Sequence, residues 1–388
     1  MSGDKNHYPG AISQLPGLLS WTERGESYAA LARNHEKRLF IAWGNALVQI
    51  YRLNTDLGRS LTIKARALPQ DSFRRFLTAP AVVHTILGEV SGDFTQETIS
   101  FLADALDAED QRLTGRAGPG RALWTALGDW HICDQTVGDP DALSATTAKV
   151  FQAPLVAGHI PLDYKSPFVR NEEMTRFYGP YAAFTDVEVQ RALSGLDAAA
   201  EGISQSSSRA IEFIKLFTRV IVARKNSDRP DRAGSRSFSR YIGATIIENP
   251  HDSTTDAAAL ADSLVHEAIH HMLYSEELQR PFASDAGLAK SFHVLSPWSG
   301  RRLNFRQYLH ACVVWFGLWA FWSLCADSAA FPEEEVRSHI RRAAHGFSQG
   351  PLLDCLSPVL EYASPELQSA ISEMQQVVSR EALRLSAC

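Results

Sequence analysis

The stretch DAAALADSLVHEAIHHMLYSEEL, residues 256–278, decides how this chain is read. It holds no proline or glycine, and its apolar residues recur at three- and four-residue intervals, so it predicts one long helix. Ser253, Thr254 or Thr255 stands where a cap for that helix would lie. A short strand is expected just before it, in SRYIGATIIENP (239–250). Inside the helix is His266-Glu267-Ala268-Ile269-His270. Two imidazoles four residues apart lie on one helix face and can reach a single metal ion. Glu267, one step round from His266, can face the same cavity without being a ligand. His271 points away from the pair, toward a packing or supporting role.

Such a site needs a third protein ligand. One familiar zinc-peptidase extension requires a glycine three residues after His270 and a histidine three beyond that, where this chain has Leu273 and Glu276. Another takes a glutamate from a later helix, yet 279–331 contains no glutamate, and its only aspartates are Asp285 and Asp327. Glu276 and Glu277 are too near the motif along the same helix to close the site. His293 and His310 remain. His293, in AKSFHVLSPW, reads as a surface position on an extended segment or loop. His310 opens the very apolar stretch YLHACVVWFGLWAFWSLCA (308–326), where a buried imidazole needs hydrogen bonds or a metal. His310 is the expected third ligand.

That stretch is also about long enough to cross a bilayer. An ionisable histidine inside a span is rare and costly, and the flanks carry no orientation signal, so a buried core helix is expected. The 388 residues are 45% hydrophobic and 21% charged, which excludes wholesale disorder. A formal net charge of −6 gives no electrostatic reason to expect nucleic-acid or membrane-surface binding. The five scattered cysteines form no C-x-x-C pair, and the first residues lack the basic and apolar regions of a signal peptide. A reducing, cytoplasmic setting follows as the expectation.

Outward from this centre, the fold expected is mainly α with a small β component. A helical N-terminal region (1–118) would be followed, across the turn-rich GRAGPGRA (115–122), by a metal-site domain (119–388) with a helical C-terminus. Helices are expected over 25–53, 94–113 (started by Thr95), 185–203, 207–225 and 364–385, with a few strands between 121 and 168. The polar, basic KNSDRPDRAGSRSFSR (225–240) reads as a solvated connection or as a flap over a peptide-binding cleft.

The series LVHEAIHHML followed by LSPWSGRRLNFRQYLHACVVWFGLWAFW resembles the HExxH-motif peptide-modification proteins of bacterial pathways for ribosomally made, post-translationally modified peptides. The matching elements, within roughly 240–325, are His266 to His270, Pro297-Trp298, Arg301-Arg302 and Leu309-His310. The family's usual arginine after Pro-Trp is Ser299 here, and its Arg-Pro-Leu is Arg302-Leu303 without the proline. The resemblance implies an iron(II)- and 2-oxoglutarate-dependent oxygenase that uses dioxygen to hydroxylate a peptide side chain, typically at the β-carbon. The ligands would be His266, His270 and His310, and the partner a precursor peptide, which could be guided by its leader. An arginine fork suits the distal carboxylate of 2-oxoglutarate; Arg302 is the first choice, then Arg301, then Arg306, one helical turn before His310. The alternatives are a zinc peptidase in which Glu267 is the general base and a binding protein with a structural metal site.

Overall fold

The computed structural model describes residues 11–22, 26–88, 94–115, 123–133, 149–226, 229 and 233–387. Within them the chain is mainly helical with a small β component, as its sequence indicates. It forms two compact units that alternate along the chain: Met1–Leu31, Ala198–Phe217 and Ala257–Cys388 in the first, and Ala32–Asp197 and Thr218–Asp256 in the second. The boundary expected near 118 falls within 116–122, outside the described residues.

The first unit begins with the short α1 (Leu15–Leu18) and the start of α2 (Glu26–Leu53), which runs on into the second unit. There follow α3 (Thr55–Ala67), α4 (Gln70–Leu77), α5 (Pro80–Gly88) and α6 (Gln96–Thr114). Thr95 caps α6 as expected, its hydroxyl accepting from the Thr98 N–H at 3.2 Å. Gly115, at φ 65°, closes the helix by returning its N–H to the Gln111 carbonyl. A buried ion network ties these helices to the next segment. Glu109 accepts from Arg75 at 3.0 Å and Arg112 at 2.9 Å, and Arg75 also donates to Asp129 at 2.7 Å.

The strands β1 (Trp130–Cys133) and β2 (Lys149–Gln152) pair antiparallel. A five-stranded sheet follows in the order β3-β4-β5-β7-β6. It is built from β3 (Leu155–Val156), β4 (Ile160–Asp163), β5 (Val220–Arg224), β6 (Gly234–Arg236) and β7 (Ala244–Glu248). The three central strands are parallel, with an antiparallel neighbour on each side. Between β4 and β5 the chain forms α7 (Glu172–Tyr178), α8 (Asp186–Ser206) and α9 (Ser208–Phe217).

The expectation of one helix over 207–225 is therefore corrected. The helix ends at Phe217, and Val220–Arg224 is a central strand buried along its whole length. A run of β-branched residues buried on both faces is the signature of a parallel strand, and helical periodicity does not distinguish it from a buried helix. The carbonyl of Gly243 accepts the N–H groups of Arg219 and Val220 at the junction. Gly243 is at φ +97°, and a Cβ there would meet Arg219 Cγ at 2.6 Å. In the basic stretch 225–240, Gly234–Arg236 pairs as an edge strand, while 227–228 and 230–232 lie outside the described residues.

The last part of the first unit comprises α10 (Ala257–Glu277), α11 (Ala286–Ser291), the hairpin β8 (His293–Leu295) and β9 (Arg302–Asn304), α12 (Phe305–Cys325), α13 (Glu333–His345) and α14 (Pro365–Ala387). Two of the hydroxyls expected to cap α10 are used elsewhere: Thr254 donates to Asp252, and Thr255 to the Asn249 carbonyl. The helix starts after Asp256. A capping box of Asn304 and Gln307 begins α12. α12 is the core helix that its sequence suggested, with 72% of its most apolar window buried inside the protein. It lies antiparallel to α10, since His310 meets His270 while Trp322 meets Asp262.

Burial pushes His35 of α2 down to about 3, with Arg38 and Arg219 adding to the effect. A folded value below the unfolded 6.5 means that this stability is fully present above pH 6.5 and is lost as pH falls toward 3. Urea unfolding at pH 7.5 and 4.5 should show the native chain losing about 2 kcal/mol more than His35→Gln. Equal losses in the two proteins would show that another group is responsible.

Candidate metal centre

On α10 the partly buried residues Asp262, His266, His270, Tyr274 and Glu277 form one line, because each is three or four residues from the next. Glu267, beside that line, is 3% exposed. Donor atoms of His266, Glu267 and His270 all lie within 4.8 Å of one another. The His266 and His270 rings are 4.9 Å apart, and Tyr274 stacks on His270 at 5.6 Å.

α12 brings His310 against His270, while the donors that lie within 4.8 Å of one another are those of His266, Glu267 and His270. His310 Nδ1 lies 3.3 Å from His270 Nδ1, and its ring is packed by Tyr274 and Phe282, with centroids at 5.2 and 5.3 Å. Its Nε2 lies 2.9 Å from Glu277 Oε2. Arg306 donates from Nε to both Glu277 oxygens at 2.8 and 2.9 Å, while its guanidinium rests over the Tyr274 ring. Burial alone would raise the Glu277 carboxyl, but His310 and Arg306 outweigh it and hold it at about 2. Burial lowers His270 well below its ordinary value, with the neighbouring imidazoles adding to the effect.

Two residues that sequence reasoning passed over shape the site. Glu277 was weighed only as a ligand, yet it bonds to the outer edge of His310. The available signal was its spacing, seven residues after His270 and so on the same face. Asp262, one turn before His266, accepts from Trp322 Nε1 at 2.8 Å, from Arg342 at 2.6 Å and lies 3.0 Å from His339 Nδ1. Although burial would raise Asp262, His339 and Arg342 hold it at about 2.

The remaining expected residues are spread more widely. Arg301 and Arg302 are exposed, Arg302 opening β9 opposite Leu295. Trp298 donates from Nε1 to the Ala343 carbonyl and stacks on Trp315 at 5.9 Å, which makes it part of the packing among α12 and α13. His293 is exposed, with Nδ1 2.8 Å from the Ser291 carbonyl. His271 is fully buried, away from the partly buried line.

The donor set fits a divalent transition ion. Two imidazoles and a carboxylate, those of His266, His270 and Glu267, lie within reach of one ion, and burial disfavours the charged form of His270. Nitrogen-rich sets of this kind suit iron and zinc alike. Equilibrium dialysis against zinc should give one ion per chain. His266→Ala and His270→Ala should each lose more than the ~10–100-fold that removal of an outer partner costs. His293→Ala should bind as the native chain does; equal binding in all four proteins would put the ion elsewhere.

No protein-family model matches the chain, and no curated protein is similar to it beyond chance.

Proposed function

We propose that the protein is an iron(II)- and 2-oxoglutarate-dependent oxygenase that hydroxylates a side-chain carbon, with the β-carbon preferred, of a ribosomally made precursor peptide. The reading rests on the resemblance of the motif series. The observation that carries it in the structure is the approach of His310 to within 3.3 Å of His270, which itself shares a donor group with His266 and Glu267. His266, His270 and His310 would hold the iron, which when bound supplies the redox chemistry that activates dioxygen. The rings hold one another in place through Tyr274, and Phe282 shields His310 from water. Arg306 is engaged by Glu277, so the exposed Arg302 and Arg301 are the better partners for the distal carboxylate of 2-oxoglutarate. The setting is a reducing cytoplasm, in keeping with the free thiols of Cys312, Cys325 and Cys355.

Glu267 favours a second reading, because its carboxylate stands within the donor group. In a zinc peptidase it would take the proton from the water that attacks a peptide carbonyl.

Anaerobic addition of ferrous iron and then 2-oxoglutarate should give a visible charge-transfer band in the native chain and none in His266→Ala. A peptide substrate should then gain the mass of one oxygen. Glu267→Gln separates the two readings. An oxygenase should retain substantial hydroxylation, whereas a peptidase should keep its metal and lose about 10²–10⁴-fold in cleavage. Stoichiometric zinc without a band, together with cleavage products, would replace the first reading by the second.

A further inference from the structure

The outer edge of His310 carries information about the inner one. In a neutral imidazole one nitrogen bears the proton and the other the lone pair, and the hydrogen bond made by one fixes the role of the other. A carboxylate at 2.9 Å from Nε2 can only accept, so Nε2 holds the proton. A metal ion binds only the neutral ring, so in the loaded chain the lone pair is on Nδ1, the atom that faces His270. Turning the ring over would set carbon against both Glu277 and His270 Nδ1 and forfeit both contacts. Sideways movement is blocked by Tyr274 and Phe282.

We propose that Glu277 is the positioning carboxylate of the metal centre and that it makes Nδ1 the donor atom of His310. The inference rests on the metal centre proposed above, but not on whether the chemistry is oxygenation or hydrolysis. Glu277 is suited to the task because it is itself fixed. Arg306 grips both its oxygens and lies over Tyr274, the ring that also packs on His270 and His310. A charge-assisted bond from Nε2–H to a carboxylate also makes the opposite nitrogen a better donor to a cation. Glu277 stands on the far side of the ring from His270, so it acts through His310.

The test uses the full chain loaded with zinc. Long-range proton–nitrogen correlations of the imidazoles identify which nitrogen of each ring is metallated and which is protonated. His310 should be metallated at Nδ1 and protonated at Nε2. Competition against a chelator should show Glu277→Ala binding zinc roughly 10–100-fold more weakly. Glu277→Gln, whose amide oxygen still accepts from Nε2–H, should recover most of that loss, which a purely structural contribution to folding would not predict. Metallation of His310 at Nε2 would overturn the proposal. So would an unmetallated His310 whose Nδ1 accepts from a His270 bound through Nε2, or unchanged affinity in Glu277→Ala. The spectrum of the native chain decides the matter even if a variant fails to fold. A native chain that binds no zinc would overturn the metal centre and the role of Glu277 with it, whereas zinc bound equally well without Glu277 would overturn only that role.

Discussion

How closely α12 lies along α10 governs the whole centre. At Gly317 the missing side chain leaves room for Ile269: a Cβ there would stand 2.5 Å from Ile269 Cδ1. Ile269 directly precedes His270, so this close approach falls within the motif itself. The carbonyl of Gly317 also accepts from Trp21 Nε1 at 2.8 Å, which ties the N-terminal segment of the same unit to the crossing. Protein interiors are packed to near-crystalline density, so the register of two such helices is not freely adjustable. The distance between His270 and His310 follows from that register.

Along the partly buried line of α10, one carboxylate stands at each end. Asp262 gathers donors from α12 and α13, and Glu277 gathers donors from α12. Taking a carboxylate from water costs several kcal/mol, repaid only where the geometry is good and the remaining lone pairs are satisfied. Both meet that condition, each accepting from an arginine and from a ring nitrogen. Their contribution is to specificity of arrangement: a shift of α12 by one residue would strand both.

How much of this was legible from the sequence follows from what each signal encodes. The α10 helix, its paired histidines and the burial of α12 are local properties of periodicity and composition, and they were read directly. His310 was reached by elimination among acids and histidines, and the structure brings it to His270. Glu277 was set aside because a ligand was sought, and spacing along one helix says nothing about what a second helix brings to its outer edge. Asp262 was missed for the same reason, since its partners Trp322, His339 and Arg342 lie 60 to 80 residues away. The strand Val220–Arg224 was read as helix because a run buried on both faces has no period to distinguish it.

Charge accounting shows why the two functional readings part at Glu267. The Glu277 carboxylate is matched by Arg306, so the outer edge of the centre adds no net charge. Three imidazoles bound to an ion through their lone pairs would add none either. An ion held by them alone would keep its full double charge, which attracts a doubly anionic oxo-acid able to fill two positions. Were Glu267 to enter the ligand set, half of that charge would be cancelled and one of those positions taken. Held back from the ion, the same carboxylate would instead serve as a base toward water. Its place, one step round the helix from His266, permits either, so the local field at a bound ion would be set by a rotation of one side chain.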